Sequence, residues 1–292
     1  MPLKFQKGFG LIYIILIIFI VILIVGGGYY YLEVYRSAQY AKVATPLFET
    51  VGQIIQQSPS SKLRDKKDYA GAQVILKERE QVLAQAKEEL SSFKLVPFKD
   101  KQVHQDFLTV LDWFIAANKD AKKNAVFFET ADKLWILIKP EVVSENQTVG
   151  DYLNIWQDKL EPMQALAVNL FTEKPPALDD ASFSQLKTSW EYAILGYTVP
   201  LRYFQTQERS KLYRDAIQDL TKDNLQPFLT EYDKQNLDKI EKSIDEFPRL
   251  LESTLIRGTA ENILRSSSMP NISQKEFGEK AARLQKYFEK KK

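Results

Sequence analysis

The apolar positions along this chain change rhythm once, and the change divides it. Residues 9–28 read FGLIYIILIIFIVILIVGGG, a run without a single charge. At 1.5 Å per residue, about 20 helical residues cross the roughly 30 Å hydrocarbon core of a bilayer. A helix satisfies its own backbone N–H and C=O groups, as lipid requires. The run predicts a transmembrane helix over 9–32, with Tyr29, Tyr30 and Tyr31 at headgroup level. Downstream, apolar residues recur at three- and four-residue steps. Ala72, Ile75, Leu76, Val82, Leu83, Ala86, Leu90 and Phe93 form one stripe. Val103, Phe107, Val110, Leu111, Phe114, Ala117, Ala121, Ala125 and Phe128 form another. Such spacing marks amphipathic helices with one face in a core.

The breaks place the remaining elements. Residues 33–67 predict a stalk that carries the anchor helix into water, with a kink or stop near Pro46 and a polar break at Ser58-Pro59-Ser60-Ser61. Pro97 pushes Val96 toward extended geometry, and Asp100 is placed to cap the next helix. Residues 68–93 and 100–138 read as an antiparallel helical hairpin within a first bundle over 68–140. Residues 139–150, KPEVVSENQTVG, form the clearest internal boundary. Helical stretches at about 151–172, 180–222, 232–265 and 273–289 make a second bundle over 150–292. Pro162, Pro200 and Pro248 should kink or shorten them. Glycine is scarce after the anchor, and Asn-Gly and Asp-Gly hairpin turns are absent. The fold class that follows is all-α: a transmembrane helix, then an elongated helical bundle or two stacked bundles.

Lys4 and Lys7 precede the apolar run, so the positive-inside rule places residues 1–8 in the cytoplasm and the helical domain outside it. A cleaved secretory signal has an apolar run of roughly 7–15 residues and then a small-residue site; here the run is at the top of that range, and bulky tyrosines occupy the place of the site. A lipoprotein would need a cysteine, and the chain has none. An uncleaved signal-anchor at the cell membrane is the expectation. Lys7-Gly8-Phe9-Gly10-Leu11-Ile12 resembles the leader of type IV prepilins and pseudopilins, in which a basic residue and Gly precede a Phe-led apolar helix. That resemblance implies cleavage between Gly8 and Phe9 and a pilin-like subunit. It covers about the first tenth of the chain, and Tyr13 stands where pilins usually carry Glu. The same segment also resembles the KGF-led anchors of uncharacterised single-pass bacterial envelope proteins, which implies a location and no activity.

Charge and chemistry narrow the function further. Lys+Arg number 40 and Asp+Glu 38, and Lys4 with Lys7 account for the net +2. The outer region is thus charge-balanced, which gives no basic footprint for a nucleic acid. The absence of cysteine excludes disulfides, thiolate zinc sites and cysteine nucleophiles. His104 is the lone histidine. It reads as a half-exposed, hydrogen-bonded helix residue, against a pH sensor or general base. Glu88-Glu89, Glu129 with Asp132, and Asp179-Asp180 are the carboxylate pairs. Glycosidase-type chemistry needs two carboxylates opposed across a cleft, and neighbours on a helix diverge. Solvation explains these pairs, with Asp179 and Asp180 favouring a helix start.

No HExxH, GxSxG, phosphate-loop, GxGxxG or EF-hand pattern occurs. The chain therefore predicts no enzyme, no catalytic residue, no metal site and no cofactor. Trp113, Trp135, Trp156, Trp190, Tyr197 and Tyr203 form the one candidate ligand pocket, opened by Gly196 and Pro200. Core packing is the alternative for aromatics at helical spacing. The leading expectation is a structural or interaction protein of the cell envelope, with the lipid bilayer and another envelope protein as partners. A ligand-binding or sensory ectodomain is the alternative. With about eight residues ahead of the apolar run, it would act through a separate partner.

Overall fold

The structure, a computed structural model, describes residues 7–57, 68–94, 96–138, 146–264 and 273–291. The polar break at Ser58-Pro59-Ser60-Ser61, residues 139–145 of the internal boundary and residues 1–6 of the expected tail lie outside them. Among the described residues every regular element is helical, apart from an isolated antiparallel bridge between Thr148 and Leu212. The all-α class holds.

Helix α1 (Lys7–Tyr29) runs through a π-helical stretch (Tyr30–Tyr35) into α2 (Arg36–Gln56). Among the described residues this rod is the one candidate membrane span, and its apolar window buries nothing against the rest of the chain. Pro46 lies inside α2 and does not stop it. A proline in a helix interior costs about 3 kcal/mol, whereas a fully buried large apolar side chain contributes roughly 1.5–3 kcal/mol. Tyr40, Ala44, Val51 and Ile54 are buried on both sides of Pro46, so packing carries the helix past it.

The chain forms two units from non-consecutive segments: residues 1–58, 77–116 and 269–292 in the first, and 59–76 and 117–268 in the second. Two helices contribute to both, α3 (Tyr69–Ser91) and α4 (Lys101–Ile138). The first unit packs α2, the end of α3, the start of α4 and the C-terminal helix. Its core includes Tyr40, Leu83, Leu90, Phe107, Leu111 and Phe288. Arg79 of α3 donates to the carbonyls of Ile54 (3.1 Å), Ile55 (2.6 Å) and Gln57 (2.9 Å). These are the orphan acceptors at the end of α2, where a cation also suits the helix dipole.

The second unit is built on α5 (Val149–Leu170), α6 (Asp180–Phe204) and α10 (Leu237–Ile256). Three short helices, α7 (Tyr213–Gln218), α8 (Lys222–Leu225) and α9 (Glu231–Gln235), precede α10, and α11 (Ala260–Ile263) follows it. Its core includes Phe128, Leu134, Met163, Trp190, Phe247 and Leu251. Local polar residues start its helices. Thr148 and Asp151 form a capping box, as do Thr230 and Asp233, and Asp179 accepts from the Ser182 N–H at 2.7 Å. At Gly196 of α6 an added Cβ would sit 2.3 Å from Ile244 Cγ1 of α10, so the missing side chain lets the two helices approach closely. The expected helix over 180–222 ends instead at Phe204. The following segment is diverted into backbone bonds with the start of α5: Val149 N–H to Lys211 O (2.8 Å) and Gly150 N–H to Arg209 O (2.9 Å).

Candidate functional site

Three helices of the first unit place apolar stripes around one groove. Helix α2 contributes Phe48, Val51 and Ile55, and α4 contributes Phe107, Val110 and Phe114. The C-terminal helix, α12 (Gln274–Glu289), contributes Phe277, Leu284 and Phe288. Within each stripe the steps are three, four or seven residues, which keeps the side chains on one helix face. The groove has a volume of about 730 Å³. Gly52 widens it, since no atom lies within 4 Å of where its Cβ would stand. Aromatic rings build the floor. Phe48 stacks on Phe288 at 4.6 Å between centroids, and Phe107 stands edge-on to Phe48 (5.8 Å) and Phe288 (5.7 Å). The rims are polar: Glu49, Gln53 and Gln56 on α2, Gln285 and Glu289 on α12.

Buried charge holds the α12 wall. Asp106 of α4 is fully buried and accepts from Arg283 Nε (2.8 Å), Gln102 Nε2 (2.9 Å) and Lys280 Nζ (3.2 Å). Burial alone would raise its carboxyl, but the bonds from Arg283, Gln102 and Lys280 outweigh it and hold the group below the usual carboxylate range. Six residues before Asp106, Asp100 Oδ1 accepts from Tyr287 Oη at 2.8 Å. Burial raises the phenols of both Tyr40 and Tyr287; the Asp100 charge adds at Tyr40, and the hydrogen bond to Asp100 and then its charge add at Tyr287.

Two sequence expectations change here. Asp100 sits in a 3-10 turn (Phe98–Asp100), is buried and turns its carboxylate to Tyr287. His104 is buried rather than half-exposed, with its ring edge-on to Tyr40 at 5.7 Å, and burial lowers its pKa. Ser37 Oγ, Tyr40 Oη, Asp100 Oδ2 and His104 Nδ1 have no hydrogen-bond partner among the described residues. No three His, Asp or Glu side chains converge as metal ligands would, again among the described residues.

The six aromatics singled out in the sequence are distributed over both units, and none of them lines the groove. Trp113 is in the first unit, stacked at 4.3 Å on Phe277, whose ring does line it. In the second unit Trp156 stacks on Tyr197 at 5.5 Å, and burial, with Asp245 adding, pushes the Tyr197 phenol up to about 12. Trp190 packs on Phe247 (5.1 Å), Tyr203 on Phe204 (5.4 Å) and Phe228 (5.7 Å), and half-buried Trp135 borders the main core. Gly196 and Pro200 do border a cavity, of about 100 Å³, lined chiefly by aliphatic side chains such as Val199, Leu229 and Ile240. Of the groove-lining stripes, the sequence periodicity marked the one in α4, with Phe107, Val110 and Phe114. Nothing in the sequence joined the one in α12 to the one in α2.

Searches against protein families, curated proteins and solved structures found no match to this chain.

Proposed function

We propose that this chain is a single-pass membrane protein of the cell envelope, with its N-terminal tail in the cytoplasm and its helical body outside. The body serves a structural or protein-interaction role, and the groove receives an amphipathic helix of another envelope protein. The groove carries this reading. It presents three apolar stripes between polar rims, the surface into which a helix lays i, i+3, i+4 and i+7 anchors. Glu49 and Glu289, on opposite rims, favour a helix with basic flanks. Helix α2 is at once a wall of the groove and the direct continuation of the candidate span, so an occupant would be held at the membrane. Lys4 and Lys7 support the orientation. The volume also suits a second reading, an apolar small molecule, since such sites occupy about 300–1,000 Å³.

The cysteine-free sequence gives a clean test of both parts. Ser184→Cys, at an exposed site, is expected to react with a membrane-impermeant maleimide in intact cells. Reaction only after lysis would overturn the location. A photo-cross-linking residue at exposed Gln53 is expected to yield one discrete adduct that Phe277→Glu removes. An adduct unchanged by Phe277→Glu, or no adduct at all, sinks the helix-in-groove reading.

A further inference from the structure

The geometry points to a second membrane contact: the segment Val96–Lys101 rests on the anionic lipid surface beside the anchor, with the Phe98 ring inserted among the headgroups. This rests on the reading of α1 as the span. Phe98 is 80% exposed. A lone exposed apolar residue is ordinary, so position decides. Phe98 N–H donates to Glu33 Oε1 at 3.0 Å, and Lys99 N–H lies 3.5 Å from Glu33 Oε2. Glu33 is the first charged residue after the uncharged run, which ends at Leu32. At 1.5 Å per residue it lies about 1.5 Å past that end along the rod, and the interfacial layer on each side of the hydrocarbon is about 5–8 Å deep. The Phe98 backbone is thereby clamped at headgroup depth, and Tyr31 and Tyr35, two residues to either side of Glu33, are exposed as well.

The surrounding charge suits an anionic surface. Lys94, Lys99 and Lys101 are all exposed, and Lys101 Nζ lies 5.7 Å from the Phe98 ring centroid. The two nearby carboxylates are engaged: Glu33 faces the Phe98 and Lys99 amides, and Asp100 is buried on Tyr287. The segment is also held rather than loose, since Pro97 is buried on one side of Phe98 and Asp100 on the other. An aromatic ring flanked by lysines, fixed at this depth, matches the side chains that favour a membrane interface.

The test reconstitutes the full-length chain into vesicles of phosphatidylcholine with phosphatidylglycerol. A polarity-sensitive fluorophore is attached in turn to Phe98→Cys, Ile18→Cys and Lys187→Cys, and shallow and deep spin-labelled lipids serve as quenchers. The shallow quencher is expected to act about threefold more strongly at position 98 than at position 187, and the deep quencher at position 18. Each lysine near an anionic surface favours contact about fivefold, so Lys99→Gln with Lys101→Gln should reduce quenching at position 98 more in these vesicles than in phosphatidylcholine alone. Quenching at position 18 with position 98 as wet as position 187 would overturn the contact and leave the span standing. No quenching at position 18 would remove the span and the contact with it.

Discussion

The two units close their cores differently. The second draws helices together with small residues: Ala72, Ala121, Ala125, Ala131, Ala167 and Ala193 are buried in its core, and Gly196 brings α6 against α10. Both cores hold rings, Phe127, Phe128, Trp190 and Phe247 among them in the second; in the first, Phe48, Phe107, Phe114, Phe277 and Phe288 line the groove. Interaxial distance follows the side chains at the contact. At Gly196 the missing side chain closes the gap between α6 and α10, whereas in the first unit the rings that face one another leave the groove between α2 and α12. The first unit then fixes its outer wall with charge, through Asp106 on Arg283 and Lys280. The second is organised for its own packing, and the first retains apolar surface that its own side chains do not cover.

The largest effect that could break this contrast comes from matched ring deletions in the full chain. Phe128→Ala, in the second core, is expected to cost about 3–5 kcal/mol, the usual range for a buried phenylalanine. Phe277→Ala, half-buried on the groove wall, is expected to cost about 1–2 kcal/mol, since one face already meets solvent. Denaturant unfolding followed by circular dichroism measures both. Equal losses would mean that the groove is core in all but appearance. Next in size is Gly196→Val. Its branched side chain would overlap Ile244, with an expected loss of about 1–3 kcal/mol typical of overpacking. A neutral result would show that α6 and α10 have slack.

The smallest effect concerns acid. Asp106 titrates below its unfolded value near 3.9, so its contribution is complete above about pH 4 and disappears as pH falls through the lowered native value. His104 titrates below its unfolded value near 6.5, so stability starts to decline as pH falls past about 6.5. The first unit is thus expected to lose stability on acidification in two stages. Asp106→Asn should flatten the lower stage and His104→Gln the upper, read from unfolding midpoints across pH. Profiles identical to the unsubstituted chain would remove both residues from the account.

What the sequence revealed was local. The uncharged run, the helical stripes and the Asp179 cap each depend on residues within a few turns of one another. What it hid depends on distance along the chain. Asp106 meets Lys280 and Arg283 across 174 and 177 positions, and neither end carries a sign of the other. For the same reason Asp100 looked like a local cap and is a partner of Tyr287. Pro46 misled because propensity weighs one residue, whereas the helix is held by the stripe around it. The aromatic-rich middle drew attention by density, yet its rings pack in pairs such as Trp156 on Tyr197 and Trp190 on Phe247, and none of the six lines the groove. The groove is made by sparser rings that three distant segments bring together.

The π-helical stretch Tyr30–Tyr35 accommodates one residue more than an α-helical turn would. Removing a residue there could be absorbed by relaxation to ordinary helix, leaving the phase of α2 intact. The same deletion between Tyr40 and Ile54 would swing everything beyond it by about 100° and turn Val51 and Ile55 away from their neighbours. The chain thus carries a length adjuster between its apolar run and α2, so a one-residue change in length can be taken up there without re-indexing the unit that α2 packs into.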